Sequence, residues 1–289
     1  MSYKVGCILH INKTHNGFRL LTCTSFITFG AQNLLFIWRI IMKGQITIAA
    51  VLMLGISGAT IASGKAHWGY EGHEGPAHWG DLNKDYHMCK AGKKQSPINV
   101  TGAHKEKLGE IKFSYKATAK EILNNGHTIQ VNMNKGSSIT VAGKTYNLLQ
   151  FHFHSPSEHQ INGVHADMVA HFVHQAADGQ LGVIGVLFNL GKANVTLAKL
   201  WGEMPKHHGD KKSLSAVKVN VSKLLPANKA YYNYSGSLTT PPCSEGVNWM
   251  VLQSQGSVSN GQVDAFTSIF SKSIRPIQGL NDRGIKASK

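Results

Sequence analysis

Acidic residues are scarce in this sequence of 289 residues: Asp and Glu number 15 against 30 Lys and Arg, and the formal net charge is +15. Residues 1–64 contain no acidic side chain at all. A surplus of positive charge can attract nucleic acid. The sequence has no compact run of Lys and Arg with interleaved aromatic residues, however, so we do not expect a nucleic-acid partner.

Internal repeats, low-complexity linkers and shifts of composition are also absent, so the sequence predicts one folded domain over residues 67–289. Beyond residue 110, short segments of alternating apolar and polar residues are separated by turn residues, and few segments have helical spacing. This pattern predicts a mainly β domain. The expected strands are 111–115, 121–123, 128–133, 138–141, 146–154, 167–174 and 181–189, with helices at 195–202 and 262–271. The aromatic-rich segment 67–80 is expected to be an ordered loop.

The apolar stretch at 46–61 is too short to predict a stable membrane span. It follows the basic start Met42-Lys43-Gly44 and precedes small residues, which is the layout of a secretory signal peptide over residues 42–66. We therefore expect a periplasmic or secreted protein. Residues 1–41 fit neither a folded domain nor a signal and are interpreted as a non-native upstream extension, with a long uncleaved anchor as the alternative.

Cysteine is rare, and only Cys89 and Cys243 lie in the predicted mature region. An even pair in an exported chain predicts one disulfide. Two buried thiols are the alternative.

Histidine is the residue type that carries chemistry. In Gln150-Phe151-His152-Phe153-His154, the period of two in a β-strand places both histidines on one face and both phenylalanines on the other. His171 belongs to a second set of alternating residues, and Asn162-Gly163 between the two sets predicts a hairpin turn. A hairpin centred there would place His154 opposite His171, although Pro156 argues for a break in the first strand.

Three converging imidazoles can bind zinc and leave its fourth position open for catalysis. A pair of solvated histidines is the alternative for His152 and His154 alone.

Two further segments contain residues that suit such a site. Glu158 has the same parity as His154, and a carboxylate near a metal can orient a hydrogen-bond network. In Thr239-Thr240-Pro241-Pro242, the prolines hold the threonines on a rigid, extended segment.

Together these motifs resemble those of the α-class carbonic anhydrases. The resemblance extends from about residue 67 to 283, and its motifs occur in the family's order. Besides the segments above, it rests on His67-Trp68-Gly69-Tyr70, Gln95-Ser96-Pro97-Ile98-Asn99, Asn124-Asn125-Gly126-His127, Ala170-His171-Phe172-Val173-His174 and Arg275-Pro276-Ile277-Gln278. It implies a single domain with a central, mostly antiparallel twisted sheet of about ten strands and short peripheral helices.

The resemblance also implies a function and its residues. The function would be zinc-dependent, reversible hydration of carbon dioxide to bicarbonate and a proton. His152, His154 and His171 would bind zinc, Glu158 would accept a hydrogen bond from Thr239, and His127 would shuttle the proton. The expected substrate pocket consists of Val173, Val183, Leu238, Thr240, Val247 and Trp249, and the expected water network of Tyr70, Asn125 and Gln130. Cys89 and Cys243 match the disulfide of exported members. Sulfonamides and anions would inhibit, and a homodimer is an open expectation.

The sequence departs from the family pattern at Val169. The family usually has a glutamate there, which bonds the second nitrogen of the third zinc-binding histidine. Loss of such a partner typically weakens metal binding or activity by ~10–100-fold. Asp167 or an ordered water is expected to substitute. The alternatives to an enzyme are a non-catalytic binding module on the same fold and a periplasmic zinc-carrying protein.

Overall fold

The computed structural model of the protein describes residues 5–13, 19–27 and 67–289. The predicted signal peptide, residues 42–66, lies outside the described residues. Within the predicted extension, β1 (Val5–Lys13) and β2 (Arg19–Ile27) form an antiparallel pair. The start at Met42 stays a prediction.

The remaining described chain is built mainly from strands, as predicted. They are β3 (Asn99–Val100), β4 (His104–Glu106), β5 (Lys112–Ser114), β6 (Ala119–Asn124), β7 (Ile129–Met133), β8 (Ser138–Val141), β9 (Lys144–His154), β10 (Gln160–Ile161), β11 (Val164–His165), β12 (Met168–Ala176), β13 (Leu181–Leu190), β14 (Lys211–Ser213), β15 (Tyr231–Ser237), β16 (Glu245–Leu252), β17 (Gly256–Val258) and β18 (Lys286–Ser288). The α-helices are α1 (Trp79–Leu82), α2 (Met88–Ala91), α3 (Val195–Trp201) and α4 (Asn260–Thr267), and three 3₁₀ helices cover Gly72–Glu74, Lys84–Tyr86 and Val221–Leu224.

A 13-stranded, mostly antiparallel sheet dominates this part of the chain. Its main path follows the order β14-β6-β7-β9-β12-β13-β16-β15-β18-β4, with β5, β8 and β17 attached beside it. The predicted fold class is therefore confirmed. Parallel pairing occurs where β13 meets β16 and β17 and where β18 meets β4.

The two faces of the central strands bury different sets of residues. Phe151, Phe153 and Phe172 pack on one face in the larger apolar cluster, together with Leu197 of α3 and Phe266 of α4. On the other face, residues from β12, β13 and β16 form a smaller cluster that includes Val169, Val173, Val183 and Trp249. This alternation confirms that His152 and His154 share a face opposite to the phenylalanines.

The predicted register between β9 and β12 is wrong by two residues. His171 lies opposite His152, and His154 lies opposite Val169. The turn itself is where the sequence places it, since Gln160 pairs with His165 and Asn162 and Gly163 both have positive φ. Between the pair His154–Val169 and the pair Gln160–His165, the first side of the hairpin contains two residues more than the second side. The first side is the segment that contains Pro156. A shift of two keeps every side chain on its predicted face.

The amino-terminal loop is anchored to the rest of the domain. Cys89 of α2 and Cys243 form a disulfide, which confirms the prediction, and Trp68, Tyr70 and Trp79 pack around it. The expected aromatic packing is therefore present, together with short helices that the pattern did not predict. Within the described residues, no helix has the length and apolar character needed to cross a membrane.

Candidate active site

Three histidines from adjacent antiparallel strands converge on one point. His152 and His154 come from β9 and His171 from β12, and one nitrogen of each lies within 4.8 Å of the others. His154 and His171 are each 1% exposed, and His152 is half-buried.

Hydrogen bonds determine which nitrogen two of these histidines present. His152 Nδ1 donates to Gln150 Oε1 at 2.9 Å, and His154 Nδ1 donates to the Ser273 carbonyl oxygen. Since both partners are oxygens that accept, Nδ1 of each ring carries a proton, which leaves Nε2 as the nitrogen available to a metal.

The electrostatic environment favours the neutral form of two of the three rings. Burial lowers the pKa of His152 and of His171 well below the usual value, and the neighbouring His154 lowers both further. His154 Nε2 and both nitrogens of His171 are buried without a hydrogen-bond partner. Buried polar atoms nearly always have one, and neutral imidazole nitrogen is a preferred zinc ligand. The three residues therefore fit a zinc ion held by three histidines.

Glu158 lies beside this cluster and is fully buried. Its Oε1 accepts a hydrogen bond from the Arg275 backbone N–H at 2.9 Å, while Oε2 lies 3.6 Å from His154 Nε2 and 3.8 Å from His171 Nδ1. Oε2 has no hydrogen-bond partner. The hydrogen bond expected from Thr239 to Glu158 therefore stays a prediction.

A pocket of about 160 Å³ opens in front of the histidines. Val173, Val183, Leu238 and Trp249 form its apolar side, and Thr239 and Thr240 lie next to them. Val247 does not line the pocket: it is buried in the apolar cluster of Val169 and Trp249. The other expected substrate-pocket residues are brought together.

The loop after β15 holds the threonines in place through its backbone. Leu238 N–H donates to the Ser244 carbonyl, and Cys243 N–H donates to the Thr240 carbonyl at 2.8 Å. Cys243 also ties this loop to α2 through the disulfide. The position of Thr239 is thus restrained from both ends.

The polar side of the pocket contains the three residues expected there. Asn125 Nδ2 donates to Gln130 Oε1 at 3.3 Å, and Asn125 Oδ1 accepts from the backbone N–H of His127 and Thr128. The Tyr70 hydroxyl is buried without a partner, and burial, with Glu158 next, raises the pKa of Tyr70 well above its usual value.

His127 lines the pocket and stacks on Trp68, with ring centroids 3.6 Å apart and planes 8° from parallel. The pKa of His127 is lowered to about 4, chiefly by burial and then by repulsion from His67 and His208. Trp68 was not among the expected site residues, although it belongs to the motif His67-Trp68-Gly69-Tyr70.

Val169 is completely buried. The side chain of Asp167, which was expected to take over the role of the family's glutamate, forms a hydrogen bond elsewhere. Asp167 Oδ2 accepts a hydrogen bond from the Leu190 backbone N–H at 2.8 Å. Both nitrogens of His171 lack a hydrogen-bond partner, so the first of the two expected substitutes, Asp167, does not bond His171.

Sequence reasoning also missed three partners of the expected residues. Gln150 shares strand parity with His152 and could have been found by alternation. Ser273 and Arg275 contact His154 and Glu158 from a segment more than a hundred residues away, and no local pattern indicates such contacts.

Comparisons with known proteins agree with this geometry. Residues 74–289 match the family model for eukaryotic-type carbonic anhydrases. The chain is 42% identical to the carbonic anhydrase of Pectobacterium carotovorum over 84% of this chain and 98% of that one. It is 44% identical to that of Neisseria gonorrhoeae over 82% and 94%. A solved α-carbonic anhydrase from Thermovibrio ammonificans, in complex with the inhibitor sulfanilamide, aligns with 47% identity and a TM-score of 0.75, covering 78% of this chain and all of that one.

Proposed function

The chain belongs to the eukaryotic-type (α-class) carbonic anhydrase family, and on that basis we propose that it is an exported zinc enzyme that reversibly hydrates carbon dioxide to bicarbonate and a proton.

One observation carries the proposal: three imidazoles converge in a pocket that is apolar on one side and polar on the other. His152 and His154 would hold zinc through Nε2 and His171 through Nδ1. When bound, zinc would lower the pKa of water to about 7 and so supply a hydroxide nucleophile at neutral pH. Neutral ligands leave the charge of the ion uncancelled, which favours this effect.

The apolar residues of the pocket hold the substrate. Carbon dioxide carries no charge and is poorly hydrated, so Val173, Val183, Leu238 and Trp249 can bind it by excluding water. Thr239 stands beside this wall, and its hydroxyl can donate one hydrogen bond and accept another. We propose that the Thr239 hydroxyl donates to Oε2 of Glu158. The other carboxylate oxygen, Oε1, already accepts a hydrogen bond from the Arg275 backbone N–H. The remaining lone pair of Thr239 would then orient the nucleophile.

His127 is the proposed exit for the proton. While it is stacked on Trp68, a pKa of about 4 makes it a weak proton acceptor at pH 7. We propose that the ring leaves the stack to accept a proton, since in water its pKa returns toward ~6.5.

Two further expectations depend on family membership and the disulfide. Disulfides persist mainly in oxidising compartments, so the Cys89–Cys243 bridge supports export to the periplasm or the exterior. The Thermovibrio relative was solved with sulfanilamide, and we propose that sulfonamides and anions inhibit this protein as well.

The proposal is tested by stopped-flow hydration of carbon dioxide with the protein as purified, after a zinc chelator, and after zinc is restored. We expect activity that the chelator removes and zinc restores. Tight zinc binding without hydration would support a zinc carrier, and neither zinc binding nor hydration would support a binding module.

A further inference from the structure

The three histidines differ in whether the ring nitrogen that faces away from the shared site has a hydrogen-bond partner. His152 and His154 each donate from Nδ1 to an oxygen, namely Gln150 Oε1 and the Ser273 carbonyl. His171 has no hydrogen-bond partner on either nitrogen. It is the only member of the described cluster whose ring orientation is not determined by a hydrogen bond.

Distances to Glu158 identify which nitrogen of His171 faces the site. His154 Nε2 and His171 Nδ1 lie 3.6 and 3.8 Å from the same Glu158 oxygen. His171 Nδ1 is therefore on the side of the ligand nitrogens, and Nε2 points away from them. A ring that keeps its Nδ1 lone pair for a metal carries its proton on Nε2. His171 thus presents a buried N–H donor that needs an acceptor.

The neighbouring His159 has a buried ring nitrogen that could accept this hydrogen bond. It is completely buried, its ring centroid lies 6.0 Å from that of His171, and both rings contact Trp249. Its Nδ1 has no hydrogen-bond partner. Its Nε2 is bonded to the Tyr234 hydroxyl at 2.7 Å.

Tyr234 links His159 to further hydrogen-bond partners. Its hydroxyl bonds Ser96 Oγ at 2.8 Å, and Ser96 Oγ accepts from the Ser237 backbone N–H at 3.1 Å. A Cβ at Gly236 would lie 2.2 Å from Ser96 Oγ, so the absence of a side chain there permits this approach.

We propose that His159 is the positioning residue of His171: its Nδ1 accepts the His171 Nε2 proton, and its own Nε2–H donates to Tyr234. The inference rests on the proposed function, because the metal sets which nitrogen of His171 is protonated. The alternatives on the same side of the strand are apolar Val169 and the engaged Asp167. The 6.0 Å between the two ring centroids leaves room for a small rotation to bring facing nitrogens to the ~3 Å of a hydrogen bond.

The tautomer of His159 tests the proposal directly. In zinc-loaded protein labelled with ¹⁵N-histidine, imidazole chemical shifts distinguish protonated from unprotonated nitrogen. We expect His159 to carry its proton on Nε2 and His171 to carry its proton on Nε2. A proton on His159 Nδ1 would overturn the proposal, because two donors would then face each other.

A matched pair of tyrosine variants adds a functional readout. Tyr234→Phe and Tyr115→Phe each remove one hydroxyl bonded to one buried histidine, His159 at 2.7 Å and His174 at 2.8 Å. We expect Tyr234→Phe to weaken zinc binding about two- to tenfold, measured by chelator competition, and Tyr115→Phe to leave it unchanged. Equal zinc affinity in the two variants would refute the positioning role. A wild-type protein that binds no zinc would instead refute the proposed function.

Discussion

At the scale of single residues, the three metal-binding candidates are not equivalent. His152 and His154 donate to oxygens, whereas the ring of His171 contacts the rings of Trp249 and His159. A neutral imidazole is a weaker acceptor than a carboxylate, because hydrogen bonds to ionised groups are roughly twice as strong. Since His171 has no hydrogen-bond partner on either nitrogen, its ring is held less firmly than the rings of His152 and His154.

Val169→Glu should strengthen zinc binding. The introduced carboxylate would lie two residues before His171 on the same face and could accept from its Nε2–H. We expect the dissociation constant for zinc to fall by about tenfold or more, the low end of the effect of such partners. Chelator competition measures it, with Val169→Gln as an uncharged control of similar size. An unchanged or higher dissociation constant for Val169→Glu would contradict this account of His171.

The pKa of His127 depends on its neighbour Trp68. Trp68 covers its ring face, and burial is the largest cause of its lowered pKa. We therefore expect Trp68→Ala to raise the pKa of His127 from about 4 toward the usual ~6.5. An NMR titration of the His127 ring protons measures this change. A pKa that stays near 4 would show that His67 and His208, not the indole, control it.

At the scale of elements, sequence reasoning succeeded where it used local alternation and failed where a strand is interrupted. The period of two placed His152, His154 and His171 on one face, and the Asn162-Gly163 turn is correct. The extra residues between His154 and Gln160 shifted the register, and this segment carries Glu158 and His159 to the site. Such an excursion follows from packing against distant residues such as Arg275 and Tyr234, which alternation cannot reveal.

The loop that carries Thr239 depends on the disulfide at its end. Replacing Cys89 and Cys243 by serine removes a link between positions 154 residues apart, which the chain-entropy model values at about 5 kcal/mol. We expect urea unfolding to show a free energy of unfolding lower by about 3–5 kcal/mol, and carbon dioxide hydration to fall because Thr239 is less restrained. An unfolding free energy equal to that of the wild type would contradict this role.

At the scale of the whole molecule, the alternating segments and the order of the motifs predicted a mainly β fold, and the sheet confirms it. The parallel contact between β13 and β16 was not predictable, because the two strands are separated by more than fifty residues and the second was not among the expected strands. The same sheet buries several neutral histidines on both faces, which makes stability sensitive to pH.

The metal-free protein should lose stability as pH falls below ~6.5. Burial lowers the pKa of His174 to about 4, so the unfolded chain takes up a proton near pH 6.5 and the folded chain only near 4. The stabilisation is complete above 6.5 and is lost progressively toward 4. We expect His174 alone to account for about 2 kcal/mol between pH 7 and 5. Urea unfolding at both pH values measures it, and His174→Gln should show a difference smaller by that amount; an equal difference would exclude this origin.

The central claim is that the three-histidine site itself hydrates carbon dioxide. The most direct measurement is kcat/KM for carbon dioxide hydration in His154→Ala beside His174→Gln, a variant of a buried histidine bonded to Tyr115 outside the pocket. Both are assayed with zinc present and after circular dichroism confirms folding. The account predicts that His154→Ala falls to the rate of buffer alone while His174→Gln keeps the wild-type value. Hydration at the wild-type rate by folded His154→Ala would contradict it.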